Sequence, residues 1–123
     1  MMEIKMQFDP VTRIAIVKTG GEADARSSGA MILPIMKFMK KNGCMHCLID
    51  HSELNIVTGK TLDIYQRPDA ILRSATPGRV KIAAVIQKVH QPHFHFLETV
   101  SLNRGLNYRT FFDLQEAREW LLG

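Results

Sequence analysis

The chain has 123 residues, of which 46% are apolar and 23% are charged, and its formal net charge is +4. This composition is that of a soluble globular protein and excludes a disordered chain. The longest apolar run, residues 30–36, contains Pro34 and is far shorter than the roughly 20 residues of a membrane-spanning helix. The basic residues are scattered and do not form the stripe that nucleic-acid interfaces show. We therefore expect neither a membrane span nor a nucleic-acid partner.

The N-terminal segment predicts a β-hairpin. Ile4, Met6 and Phe8 alternate with polar residues and would share one face, residues 9–12 have turn chemistry, and residues 13–19 are dense in β-branched side chains. The segment lacks the basic stretch followed by an apolar stretch that marks a secretory signal. We expect a cytoplasmic protein.

The apolar spacing then changes to that of a helix. Between residues 23 and 43, apolar side chains recur at positions 31, 32, 35, 36, 38 and 39, which predicts a helix with a broad buried face. Pro34 should either kink this helix or mark where its regular part begins. The densest basic cluster, KFMKKNG, is explained as the last helical turn, where lysines favour the negative end of the dipole and Asn42-Gly43 ends the helix.

The remaining segments alternate between strand and helix, which predicts parallel pairing. We predict strands at 45–50, 80–87 and 107–112, and helices at 59–74 with a break near Pro68, at 91–105 and at 113–123. In the last helix Asp113 is the expected N-cap and Glu116 the reciprocal capping residue. The predicted order is ββαβαβαβα, in a single α/β domain that covers residues 1–123.

A Gly-Lys-Thr sequence raises the question of a phosphate-binding loop. Gly59, Lys60 and Thr61 follow a predicted strand and open a predicted helix, as a P-loop requires. The first glycine of that motif would fall at position 54, which is Leu54. We expect instead an ordinary helix start capped by Thr58, and no nucleotide hydrolysis.

Cysteines and histidines are spaced as in some metal and redox sites, but their context favours structural roles. Cys44 and Cys47 lie at the start of a strand instead of at a helix N-terminus, so we expect free, buried or half-buried thiols. We expect no metal, because no ligand set is complete, and solvent-facing histidines around inward Phe94 and Leu97 at the positions His90, His93 and His95. No catalytic motif is present, and we expect no enzyme and no cofactor.

Four segments carry a resemblance to a known family: the helix segment ILPIMKFM, the strands HCLIDHS and KIAAVIQ, and the ending YRTFFDLQEAREWLLG. Together they resemble the SpoIIAA-like, or STAS-type, family of small cytoplasmic domains over essentially the whole chain. The resemblance implies a mixed sheet with helices mainly on one side, wound as right-handed βα units, a hand that strand twist also favours. In the family's anti-sigma factor antagonists, a serine in the loop after the central strand switches partner binding when phosphorylated.

The resemblance places residues 55–62 on this switch loop. Thr58 falls where the family has an aspartate, Gly59 where it has the phosphorylated serine, and Lys60 on the next serine. The phosphoacceptor position is therefore lost, although a phosphate on Thr58 or Thr61 would lie near a helix N-terminus, which is electrostatically favourable. We predict a partner-binding or switch loop that runs from Ser52 to Thr61 and a site composed of Asp50, Ser52, Thr58, Gly59 and Thr61.

Two functions are consistent with these observations. The first is a non-catalytic regulatory module that binds a protein partner, resembling the anti-sigma factor antagonists. The second is a carrier or sensor of a lipid or other apolar small molecule, because the first helix is apolar on more than one side and seven methionines suit an adaptable pocket. The same helix would also suit a homodimer, which we rank above the pocket. The predicted pocket or dimer face comprises Met31, Ile35, Phe38 and Met39.

Overall fold

The computed structural model describes residues 2–23, 25–57, 80–103 and 105–123. Its strands and helices are β1 (Met2–Asp9), β2 (Ile14–Ala23), α1 (Ala25–Asn42), β3 (His46–Val57), β4 (Lys81–Val85), α2 (Gln91–Asn103), β5 (Asn107–Phe111) and α3 (Leu114–Leu122), with a 3₁₀ turn at Lys88–His90. This order confirms the predicted hairpin and βα units, and the helix predicted at 59–74 lies outside the described residues. None of the described helices has the length and apolar character needed to cross a bilayer.

The five strands form one mixed sheet in the order β1-β2-β3-β4-β5. The first pair is antiparallel and the other three are parallel, as a hairpin followed by βα crossovers requires. In the hairpin turn, the Asp9 carboxylate accepts the Val11 N–H at 3.0 Å and the Thr12 hydroxyl at 2.8 Å. These bonds, with that from Thr12 the largest cause, lower the pKa of the Asp9 carboxyl.

Both faces of the sheet are covered, because strand residues alternate between two apolar clusters. Helices α1 and α2 pack on one face, in a cluster that includes Ala15, Val17, Ile35, Met39, Cys47, Ile49, Ile82, Ala84, Phe94 and Leu97. Helix α3 packs on the other face, in a smaller cluster of Ile14, Leu48, Ala83, Val85, Ala117 and Leu121. Two of the three described helices therefore share a side, which confirms the predicted arrangement.

Helix α1 is continuous through Pro34. The chain is already helical from Ala25, so the proline does not mark where the helix starts, although it removes one backbone N–H from the helical ladder. The helix ends as predicted: Gly43 has a φ of 62°, a conformation that glycine adopts without a Cβ penalty. The Cys44 N–H donates to the Met39 carbonyl at 3.0 Å, which completes the C-terminal cap.

Candidate functional site

Strand β3 is longer than the sequence predicts. It pairs with β4 from His46 to Asp50 and then continues beside β2 as far as Val57. Two register shifts give β3 an extra residue relative to β2 at each of two bulges along this extension. The predicted loop from Ser52 to Thr61 is therefore wrong for residues 52–57, which form a strand because β2 extends far enough to pair with them.

The extension of β3 has no β4 backbone beside it, and Gln87 supplies the missing hydrogen bonds. Its side-chain Nε2 donates to the Ser52 carbonyl at 2.6 Å and to the Leu54 carbonyl at 2.8 Å. One side-chain amide therefore provides the donor for two backbone carbonyls, in an exposed bond to Ser52 and a part-buried bond to Leu54. Gln87 thus ties the end of β4 to the β3 extension.

Asp50 and Ser52 lie where β3 separates from β4. The Asp50 side chain is buried, and its Oδ1 accepts the Ser52 N–H at 2.9 Å. This short-range bond is typical of a local turn and shapes the first bulge. Ser52 is exposed, and so is Glu53, whose carboxylate lies 3.2 Å from the Lys18 ammonium. Of the predicted site residues, Asp50 and Ser52 are described, and they lie together where the pairing of β3 with β4 ends.

His51 lies between Asp50 and Ser52 in the chain and was not among the predicted site residues. Its side chain points toward the face of the sheet that α1 and α2 cover. Its Nδ1 is 2.7 Å from the Thr19 hydroxyl, and its ring stacks on Phe94 with 4.9 Å between centroids. Both His51 and Thr19 are buried. The alternation of Cys47 and Ile49 is the signal that would have identified an inward side chain at position 51.

The histidines around α2 have different environments. His93 is half-buried and packs edge-on against Phe94 at 5.1 Å, whereas His95 is exposed and its Nδ1 lies 3.9 Å from the Glu98 carboxylate. Phe94 and Leu97 are buried, as predicted. Within the described ranges, no cluster of three or more His, Cys, Asp or Glu side chains is arranged to hold a metal ion.

The two cysteines are free and buried, as the sequence predicts. Burial raises the pKa of both thiols and is the largest cause for each. Both thiols are therefore protonated at neutral pH, which is the opposite of the low-pKa thiolate that redox chemistry requires.

Exposed apolar side chains follow the carboxyl ends of β4 and β5 in the chain, and we call this group, together with Lys88, the carboxyl-edge patch. It consists of Lys88, Val89, Phe112 and Leu114, whose apolar members are exposed by 75% (Val89), 49% (Phe112) and 45% (Leu114). The Lys88 ammonium lies 5.7 Å from the centroid of the Phe112 ring. Lys88 directly follows Gln87, the residue whose side chain bonds to the β3 extension.

The residues predicted to form a pocket or dimer face are mostly buried, unlike those of the carboxyl-edge patch. Met31, Ile35 and Met39 are buried in the α1/α2 cluster, and half-buried Phe38 packs against it. The structure therefore places these side chains in the protein's own core instead of on a surface open to a second subunit. The remaining predicted switch residues, Thr58, Gly59 and Thr61, lie outside the described residues.

Comparison with solved structures identifies this architecture as the SpoIIAA-like fold. One similar structure is an uncharacterized protein from the DUF3478 family with a SpoIIAA-like fold from Shewanella loihica PV-4. It has a TM-score of 0.60 and 16% identity, over 98% of this chain and 93% of that chain. The sequence matches no protein-family model and no curated protein.

Two further similar structures are anti-sigma factor antagonists. The protein from Mycobacterium paratuberculosis has a TM-score of 0.64 and 11% identity, over 100% of this chain and 96% of that chain. SpoIIAA in its unphosphorylated form has a TM-score of 0.57 and 10% identity, over 98% of this chain and 99% of that chain. At such identities the similarity establishes the fold alone, because one fold hosts many functions.

Proposed function

We propose that this chain is a cytoplasmic regulatory module that binds a protein partner without catalysing a reaction. The observation that carries the proposal is the similarity to two anti-sigma factor antagonists over nearly the full length of both chains. The role of those proteins, as their names describe it, is a regulatory one exercised on other proteins. We extend that class of role to this chain and assign the contact to its carboxyl-edge patch.

The chemistry of the patch supports a protein-binding role. In open α/β sheets, binding sites form outside the carboxyl ends of the strands, which is where Phe112 and Val89 are exposed. Aromatic side chains with a neighbouring cation are frequent anchors of protein interfaces, and Phe112 with Lys88 provides that pair. Exposed Ser52 and Glu53 would supply polar contacts at the rim.

Regulation by phosphate would differ from that of the family. Because Gly59 falls on the phosphoserine position of the resemblance, a phosphate switch in this chain would require the hydroxyl of Thr58 or Thr61. A phosphate there would add negative charge to the segment that directly follows the β3 extension in the chain. A protein purified from its own host and carrying phosphate on either threonine by mass spectrometry would support this part of the proposal.

The alternative of an apolar-ligand carrier has no comparable support. The side chains predicted to line its pocket, such as Ile35 and Met39, pack against the sheet of the same chain. No described contact of these residues is specific to a ligand-binding role. The protein-binding role therefore accounts better for the exposed side chains.

Site-specific photocrosslinking in the native host tests the proposal. A photoreactive phenylalanine analogue replaces Phe112 in one variant and Val11 in a matched control. Val11 is 89% exposed and lies in the β1-β2 turn, at the opposite end of the sheet. We expect a discrete adduct with one partner protein from position 112 and none from position 11. The same adducts from both positions, or none from position 112, would contradict the proposal.

A further inference from the structure

The two edge strands of the sheet differ in how their outer edges are covered. At β5, the Glu98 carboxylate of α2 accepts the Thr110 backbone N–H at 3.4 Å and the Thr110 hydroxyl at 2.9 Å. An acceptor provided by the same chain occupies this edge and disfavours the addition of another strand. One backbone N–H at the edge of β5 is thus already paired within the chain.

The edge at β1 has no equivalent protection among the described contacts. β1 is the terminal strand of the sheet, and eight residues of it pair with β2 without a register shift. The Asp9 carbonyl accepts the Arg13 N–H across the turn and so points toward β2. Along an antiparallel strand, the backbone N–H and C=O groups of successive residues point alternately toward and away from the paired strand. Because those of Asp9 point toward β2, those of Ile4, Met6 and Phe8 point away from it. The side chains of residues 3 and 5–7 are exposed.

We propose that a second copy of this chain pairs antiparallel along β1, about a twofold axis at Ile4. This register pairs outward-facing backbone groups of one subunit with those of the other and joins two five-stranded sheets into one. It also places Glu3 opposite the partner's Lys5, and by symmetry Lys5 opposite the partner's Glu3. The interface is isologous, because the same residues contribute from both subunits.

Charge selects this register over its neighbours. Moving the twofold axis from Ile4 to Lys5 still pairs the outward-facing backbone groups, but it places Lys5 opposite the partner's Lys5. Moving the axis from Ile4 to Glu3 places Glu3 opposite the partner's Glu3. Like charges directly opposite each other destabilise a strand pair, whereas opposite charges stabilise it. Charge therefore favours the register with Ile4 on the axis over the two registers next to it.

Charge-reversal variants test the register through the dissociation constant of the dimer, measured by sedimentation equilibrium. Glu3→Lys and Lys5→Glu should each raise this constant about tenfold, because each creates two like-charge pairs. The double variant E3K/K5E restores opposite charges and should bind as the unmodified protein does. An equimolar mixture of the two single variants should form heterodimers, visible by native mass spectrometry, which also shows that both variants fold.

Lys41→Glu is the matched control, since it makes the same charge change at an exposed site in the last turn of α1. It should leave the dissociation constant unchanged. A protein that stays monomeric at every accessible concentration would overturn the proposal. The same result is expected if the β1 edge binds an unrelated peptide instead of a second copy. A dimer that tolerates both single variants, or a double variant that fails to restore dimerisation, would overturn it equally.

Discussion

Just after β4, the Gln87 side chain donates hydrogen bonds to β3 that a neighbouring strand would otherwise provide. Gln87 donates to two carbonyls of the β3 extension, at 2.6 and 2.8 Å. A net contribution of about 0.5–1.5 kcal/mol is usual for each hydrogen bond of this kind. Gln87 therefore contributes to holding the β3 extension in place at Ser52 and Leu54.

Replacing Gln87 by leucine should destabilise the fold by about 1–3 kcal/mol, because two carbonyls lose their donor. The urea midpoint measures this loss, and hydrogen exchange should accelerate most in residues 52–57. Gln115→Leu is the control, since Gln115 is an exposed glutamine in α3, and it should change the midpoint little. Equal effects of the two substitutions would show that Gln87 has no special role.

The buried pair of Thr19 and His51 gives a second prediction. Thr19→Val keeps the shape of the side chain but removes the hydroxyl 2.7 Å from the His51 Nδ1, and we expect a loss of about 1–3 kcal/mol in unfolding free energy. Thr99→Val, which removes an exposed helical hydroxyl, should cost less than about 0.5 kcal/mol. Chemical denaturation of both variants compares them directly, and similar losses would refute the prediction.

The hairpin turn gives a pH-dependent prediction. Because the pKa of Asp9 is lowered in the folded protein, its charge stabilises the fold above the pKa of the unfolded chain, and this stabilisation is lost as pH falls through the folded pKa. Thermal melting should show Asp9→Ala to be less stable than the unmodified protein at neutral pH. The difference should shrink in acid, and a gap that stays constant with pH would contradict the assignment.

These single residues show where prediction from sequence stops. The N-cap at Asp113 was predicted from the chain alone, and its carboxylate does accept the Gln115 N–H at 2.7 Å. A cap is visible in sequence because donor and acceptor lie within one turn. Gln87 and Ser52 are 35 residues apart, and no local pattern indicates such a contact.

At the scale of elements, Pro34 in α1 is open to direct measurement. It lies in the interior of the helix and is exposed, so Pro34→Ala should restore a backbone N–H without disturbing the core. We expect a gain of about 2 kcal/mol in unfolding free energy, somewhat below the usual cost of an interior proline because proline also restricts the unfolded chain. Urea denaturation would measure it. The neighbouring Leu33→Ala, at a 53% exposed position, should give no gain.

The full length of β3 could not be predicted from the sequence. Of residues 52–55, Leu54 alone is buried, and the polar remainder resembles a loop in sequence. Bulges interrupt the strict alternation that identifies a strand. The buried strands KIAAV and HCLID were predictable because apolar residues are continuous there.

For the whole molecule, the order of the described strands and helices followed from the sequence, but which parts of the chain cover one another did not. An apolar stripe such as Met31, Ile35 and Met39 predicts burial without indicating what covers it. The structure shows that the sheet of the same chain does. The exposed patch could not be predicted, because Lys88 and Phe112 follow different strands and are brought together by the pairing of β4 with β5.

The central claim is that the carboxyl-edge patch binds a protein partner. The most direct test is calorimetric titration of the partner identified by crosslinking into the unmodified protein, Phe112→Ser and Val11→Ser. If the patch is the interface, Phe112→Ser should raise the dissociation constant by about tenfold or more, as loss of an aromatic anchor does, and Val11→Ser should leave it unchanged. Equal affinities of all three proteins would contradict the claim.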